Sequence, residues 1–331
     1  MNDTIVVYGR LDDPPIKLLI EALQEANASY VLMETAALGS EQLKITIGSD
    51  GVNGHLMCAG QEIALDSIRS VYARPLGVPH QGDSSHRAAH AQAVNEQFLQ
   101  WLDVAPALVV NRPRAMQANA SKPLQAQLIG GAGFLVPPTL VTNDTEEVRA
   151  FWREHGRVIY KSVSGVRSIV HELDERTAAR LARVSALPTQ FQAYVPGVDV
   201  RVHVVGDQTF AAEIHSRVTD YRYAAQQGEE AILTVIELPV EVAKRCVTLS
   251  RQMELPLTGI DFRRRPDGEF VCFEVNPMPA YSYYETHTGL TISTALARLL
   301  RSMSVSPEVN YGANGPSDRK SHPHRGTHPR A

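Results

Sequence analysis

Thr258-Gly-Ile-Asp-Phe-Arg-Arg-Arg-Pro-Asp-Gly-Glu-Phe-Val-Cys-Phe-Glu-Val-Asn-Pro277 is the stretch that decides how the chain is read. Apolar and β-branched residues flank Pro266-Asp267-Gly268, a turn signal, so the spacing predicts two antiparallel strands. Strand side chains alternate with period two. Asp261 and Arg263 then share a face, and Cys272, Glu274 and Asn276 share one on the return strand. With Asp261 opposite either Cys272 or Glu274, both carboxylates reach the same surface, and a slip of one residue would part them. Two carboxylates and an amide oxygen make a hard-oxygen set suited to magnesium beside a nucleotide. Taken alone, these acids read more readily as ordinary solvated side chains of a hairpin. Glu274 argues otherwise, because it interrupts the apolar run 270–275, where an unpaired carboxylate is costly, and Asn276-Pro277 follows at once.

Working outward, a chain of 331 residues with 44% hydrophobic residues and a net charge of −4 has the balance of an ordinary globular protein. It gives no sign of nucleic-acid or membrane-surface binding. No apolar run approaches the roughly 20 residues that span a bilayer, and the N-terminus lacks a signal pattern. Cys58, Cys246 and Cys272 form no metal or redox spacing and suit a reducing compartment, so a cytoplasmic protein is expected.

Strands are expected over 4–9, 30–34, 44–48, 55–64, 70–73 and 108–113, the last stopping at Pro113, with helices over 14–26 and 84–103, the latter capped by Ser84 or Ser85. No Gly-x-x-x-x-Gly-Lys loop occurs, and Gly9-Arg10-Leu11 is no dinucleotide fingerprint. A domain boundary is placed after residue 113. A helix over 115–129 then carries Lys122. A strand over 137–143 leads into a helix with Glu146 and Glu147 in its first turn. Lys161 ends a strand over 158–161, before a polar loop at 162–168 that contains Ser164 and Gly165. Such a lysine can guard a sheet edge or serve a phosphate cradled by loop N–H groups. Gln192-Ala-Tyr-Val-Pro-Gly-Val-Asp-Val-Arg201 reads as strand, turn and strand, with Asp199, Arg201 and His203 on one face. Asp199 and Arg201 also read as a mutual ion pair. Arg217, Asp220 and Arg222 lie in a charged stretch, and helices are expected over 240–253 and 291–303. From about residue 305 the chain lacks apolar periodicity and reads as a disordered tail, in which His322, His324 and His328 make no built metal site.

In order and at workable spacing, these pieces resemble the ATP-grasp carboxylate ligases over residues 1–303. The graspetide (microviridin-type) peptide ligases are the nearer likeness, and the ribosomal-protein glutamate ligases the more distant one. The resemblance is carried by Tyr72-Ala-Arg-Pro, Asn119-Ala-Ser-Lys122, Pro137-Pro-Thr-Leu-Val-Thr-Asn143 and Ile159-Tyr-Lys161. It continues through Gln192-Ala-Tyr-Val, Asp199-Val-Arg201, Asp220-Tyr-Arg222, Gly259-Ile-Asp261 and Glu274-Val-Asn276. It implies an α/β (α+β) architecture with an N-terminal α/β pre-ATP-grasp domain at 1–113. A small central subdomain at 114–189 and a C-terminal antiparallel-sheet subdomain at 190–304 would hold ATP between them.

The resemblance also implies roles. Lys122 and Lys161 would serve the phosphates and the adenine side of the cleft, with Ser164 and Gly165 in a lid loop. The backbone of Gln192, Ala193, Tyr194 and Val195 would bind adenine, and Asp199 the ribose. Arg201 would neutralise phosphoryl charge, while Asp261, Glu274 and Asn276 would ligate two Mg2+ ions. Arg222 and Arg217 are candidates for aligning a substrate carboxylate, and Arg74 for reaching the cleft from the opposite wall. Met278-Pro279-Ala280-Tyr281 departs from the Ser-Gly-Gln that graspetide ligases commonly carry after Asn-Pro, so substrate identity is the open point. The expected activity is ATP-dependent, ADP-forming ligation through an acyl phosphate, on a peptide or a small carboxylate. Joining an amino acid to a small acid or protein terminus, and a non-catalytic nucleotide-binding module, are the alternatives. A homodimer is left open.

Overall fold

The computed structural model describes residues 4–35, 38, 41–49, 51–76, 86–162, 171–178, 181–215 and 231–302. The Ser84 or Ser85 cap, Ser164, Gly165, Arg217, Asp220, Arg222 and the tail from 305 fall outside them.

The N-terminal part runs β1 (Thr4–Gly9), α1 (Pro14–Glu25), β2 (Tyr30–Glu34), β3 (Gln42–Gly48), β4 (Gly51–Cys58), β5 (Gln61–Ala64), β6 (Ile68–Ala73), α2 (His86–Val104) and β7 (Leu108–Val110). Among the described residues, a parallel sheet has the order β2-β1-β6-β7. Ile5, Val6, Val7 and Tyr8 are all buried, as a parallel strand covered on both faces requires. Ile16, Leu19 and Leu23 of α1 pack on one side, and Phe98, Trp101 and Leu102 of α2 on the other. The single strand expected over 55–64 is instead the hairpin β4–β5, because Ala59-Gly60 turns the chain.

The middle part runs α3 (Pro113–Met116), α4 (Lys122–Gly131), β8 (Thr139–Thr142), α5 (Thr145–His155), β9 (Val158–Ser162), β10 (His171–Glu172), α6 (Glu175–Ala178) and β11 (Thr189–Ala193). The helix expected over 115–129 is broken. Pro123 cannot donate within a helix interior, so Ser121 caps a new helix by accepting from the Leu124 amide at 3.4 Å. Lys122 is therefore the first residue of α4. The antiparallel sheet here has the order β10-β9-β11-β8.

The last part runs β12 (Val198–Val205), β13 (Gln208–His215), β14 (Ile232–Ile236), α7 (Val240–Gln252), β15 (Leu257–Arg264), β16 (Phe270–Asn276), α8 (Tyr281–Thr288) and α9 (Ile292–Arg301). Its antiparallel sheet has the order β14-β13-β12-β15-β16. Val200, Val202, Val204, Ile260, Phe262 and Cys272 pack on one face with Cys246 and Leu249 of α7. Ile129 of α4 and Phe134 complete that core.

This packing moves the expected boundaries. β11 belongs to the middle sheet through its pairing with β8 and β9, so the change of sheet comes after residue 193 rather than at 190. Residues near 129–134 belong to the core of the last sheet rather than to the middle unit.

The N-terminal part is fastened to the last sheet by Asn111, which is buried. Its amide donates to the Leu257 carbonyl at 2.7 Å and the Pro277 carbonyl at 2.5 Å, and its oxygen accepts from the Leu257 amide at 3.2 Å. Asn111→Ala strands these backbone groups in the interior and is expected to cost ~3 kcal/mol. Urea unfolding should show a lower midpoint at unchanged slope.

Candidate active site

The face of the β12–β15–β16 sheet opposite that core is built in rows, because directly opposed residues point to the same side. Asp199 faces Arg263 in one row, and Arg201 faces Asp261, which faces Glu274, in the next. His203, Gly259 and Asn276 form the third. The two carboxylates thus share a surface as expected. Cys272 does not. A β-bulge leaves Phe273 as an extra residue on β16, so Cys272 opposes Phe262 and turns into the core.

Each carboxylate meets a cation. Lys122 Nζ lies 2.9 Å from Glu274 Oε2, and Arg201 Nη1 lies 2.5 Å from Asp261 Oδ1. Their side chains remain 26% and 30% exposed, enough to meet a ligand from the cleft. Lys122 owes its position to Gln125, one turn further along α4. Gln125 is buried, donates to the Val275 carbonyl at 2.8 Å and accepts from the Val275 amide at 3.1 Å, fixing the helix against β16. Burial pushes the Glu274 carboxyl up, but the charges of Lys122, Lys161 and Arg201, together with the Lys122 hydrogen bond, hold it below its ordinary range.

Arg201 is itself buried. A Cβ built on Gly259 would stand 2.1 Å from Arg201 Nη2 and 2.6 Å from its Cζ, so the guanidinium lies against bare backbone. The Tyr284 ring centroid is 5.6 Å from that guanidinium and 4.8 Å from the His203 ring. Burial, then the Arg201 charge, push the His203 pKa well below 6.5, so the imidazole is neutral in the folded protein. The unfolded chain takes up a proton near pH 6.5 that the folded state refuses. His203 therefore costs nothing above that pH, and below it penalises folding by up to ~1.4 kcal/mol per pH unit until its folded pKa is reached. Between pH 7 and 5.5, His203→Gln is expected to lose less unfolding free energy than the parent.

The other expected residues are accounted for as follows. Asp199 pairs across strands with Arg263 Nη2 at 2.7 Å. The Gln192 side chain donates to Thr139 Oγ1 at 3.0 Å, and Ala193 is buried beside it. The Tyr194 amide donates to the Arg157 carbonyl at 2.9 Å, and the Val195 carbonyl accepts from Arg263 Nη1 at 3.0 Å. Part of the 192–195 backbone is thus already engaged. Arg74 does not reach the cleft. It is buried in an ion pair with Asp13 at 2.5 Å and donates to the Pro279 carbonyl at 3.0 Å, fastening the segment after Asn276. Gln125, Gly259, Tyr284 and Arg263 were not singled out by sequence reasoning for roles in the cleft. Two of them carried a hint in the quoted stretch: Gly259 stands beside Asp261, and Arg263 shares its face.

The donor set fits magnesium. Asp261, Glu274 and Asn276 offer hard oxygens in adjacent rows, although Asn276 Oδ1 already accepts from the Met278 amide at 2.8 Å. Among the described residues no cluster of three acids, histidines or cysteines could enclose a metal unaided.

A family model described as the RimK-like ATP-grasp domain matches residues 121–300, more than half of the chain. The chain belongs to the RimK-like ATP-grasp family. A RiPP-associated ATP-grasp ligase from Chryseobacterium gregarium, solved with ADP and a leader and core peptide, superposes with a TM-score of 0.76. It is 20% identical, with 91% of this chain and 96% of that chain covered. The ATP-grasp ligase PsnB, solved with a phosphomimetic variant of its minimal precursor, Mg and ADP, has a TM-score of 0.72. It is 30% identical, with coverages of 91% and 98%. A protein of Rhodopirellula baltica described as a probable alpha-L-glutamate ligase is 26% identical over 229 residues, 66% of this chain. The match spans 55% of that relative, so the chain covers about half the length of this curated relative. No helix among the described residues is long and apolar enough to cross a membrane.

Proposed function

We propose that the protein is an ATP-dependent ligase that activates a carboxylate of a ribosomally made peptide as an acyl phosphate and joins it to an amine or alcohol of that peptide. The observation that carries this reading is the row Arg201–Asp261–Glu274, closed by Lys122, with both carboxylates partly exposed. A core built for stability alone has no use for three charges in one row of a sheet face and a fourth closing on them from α4, since buried ion pairs seldom outperform apolar packing.

A carboxylate resists an amine or alcohol because oxide is a hopeless leaving group. Transfer of the terminal phosphoryl of ATP to the carboxylate oxygen releases ADP and leaves phosphate as the leaving group. The nucleophile then attacks the acyl carbon, loses its proton and expels phosphate. Asp261, Glu274 and Asn276 would hold Mg2+, which when bound spreads the charge on the transferring phosphoryl. We take two ions as the stoichiometry, to be read by equilibrium dialysis with nucleotide present. Arg201 and Lys122, each already partnered by a carboxylate, would turn to the phosphates without leaving the acids unpaired, because the ion takes their place. Lys161 would serve the phosphates from the opposite wall. Arg217 and Arg222 remain the proposed guides for the substrate carboxylate, a task for which a bidentate guanidinium is suited.

Likeness to peptide-bound relatives supports a peptide substrate, and likeness to a glutamate ligase supports the second reading, addition of an amino acid to a carboxylic acid or protein terminus. One experiment separates them. Incubation with ATP, magnesium, free glutamate and a candidate precursor peptide should remove one water mass per bond formed, with one ADP released each time. A gain of an amino-acid residue mass would favour the second reading, and an unchanged peptide mass would overturn both for that peptide.

A further inference from the structure

Far from the carboxylate face, β3 is a seven-residue edge strand of a small sheet with the order β3-β4-β5. Its apolar face starts at the N-terminal core and runs out of it. Leu43 and Ile45 pack partly against that core, as does Val52 of β4, whereas Ile47, opposite Val52, is 81% exposed. The single charge of the strand, Lys44, lies on the other face. The outer edge of the backbone is open too. Lys44 faces His55, and a Cβ built on the neighbouring Gly54 would stand 1.9 Å from the Lys44 carbonyl oxygen, so the polar groups of Lys44 point at β4. These groups alternate in direction along an antiparallel strand. The amides and carbonyls of Leu43, Ile45 and Ile47 therefore point away from β4. The Glu41 carbonyl, just before the strand, meets His90 Nε2 of α2 at 2.8 Å. Among the described residues no strand or other backbone group pairs with the outward groups of Leu43, Ile45 and Ile47. Folded proteins seldom leave an apolar edge of this length uncovered, because it is a template for another strand.

We propose that β3 is the contact between two copies of this chain, joined antiparallel about a two-fold axis through Ile45, so that two three-stranded sheets become one. The strand itself selects the partner and the register, because a two-fold contact must be self-complementary. With Ile45 opposite Ile45 of the other copy, Leu43 and Ile47 face each other twice. All three outward residues then exchange hydrogen bonds, the exposed Ile47 is covered by Leu43, and both apolar faces lie on the same side. Lys44 faces Thr46 rather than a second Lys44. An axis through Lys44 would oppose two ammonium groups and call on the Glu41 carbonyl, which His90 already meets. An axis through Thr46 would set Leu43 against Ser49, with no apolar partner.

Sedimentation equilibrium of the full chain over a wide concentration range tests this. The parent should sediment at twice the chain mass. Ile47→Lys sets an ammonium group against Leu43 of the other copy, and should weaken association at least about a hundredfold with the circular dichroism spectrum unchanged. Thr46→Glu should tighten it about three- to tenfold, because two carboxylates then face two Lys44 ammonium groups across the join. A parent that stays monomeric, an Ile47→Lys variant that associates as the parent does, or a Thr46→Glu variant that associates more weakly would each overturn the proposal. So would a monomeric parent whose binding of a candidate precursor peptide, read by fluorescence anisotropy, is abolished by Ile47→Lys, since the edge would then serve a peptide strand.

Discussion

Glu274→Ala is expected to lower substrate-dependent ADP release by at least ~10²–10³-fold, the scale on which removing one charge-stabilising group acts in other enzymes. The protein should fold as before. Glu274 is about a quarter exposed and its bond to Lys122 is a partly solvated ion pair, of a kind that contributes ~1 kcal/mol or less. Loss of the carboxylate removes a proposed magnesium donor and also frees Lys122, whose place over β16 Gln125 still fixes. Activity and stability should therefore separate. ADP release and urea unfolding measured on the same preparation check this, and an unchanged rate would contradict the site.

The second large effect is expected from the smallest change. Gly259→Ala puts a methyl group 2.1 Å from Arg201 Nη2 and 2.8 Å from its Nε. Because the obstructing atoms are the end of a side chain, the chain can yield by swinging Arg201 away, at a folding cost of ~1–3 kcal/mol. His203 and Tyr284 close the neighbouring space, so the guanidinium loses Asp261 when it moves. Catalysis should fall about a hundredfold, with nucleotide binding less affected than turnover. Equal activity in the variant would mean that Arg201 has no part in phosphoryl transfer.

The carboxylate face was legible in the sequence because it depends on period two and on one turn, both written locally. The same logic put Asp199, Arg201 and His203 together before their partners were known. Cys272 was misassigned to that face because a bulge at Phe273 breaks the period, and no residue type announces an extra residue. Lys122 was recognised but set inside a long helix, where apolar spacing outweighed the proline that should have ended it. The sheet membership of β11 could not be read at all. A strand that ends in Pro196-Gly197 before another strand suggests a hairpin, whereas its pairing with β8 and β9 depends on contacts far away in sequence. Arg263 and Gln125 share that difficulty, since each acts through backbone atoms of a distant strand or connection, and backbone partners leave no trace in side-chain pattern.

Isotope transfer tests the central claim most directly. A peptide substrate carrying 18O in its reacting carboxyl groups is incubated with the protein, ATP and magnesium until bonds have formed. The account predicts one labelled oxygen in inorganic phosphate for each bond, with ADP as the nucleotide product. Label appearing in AMP, or bond formation that leaves the phosphate unlabelled, would contradict it.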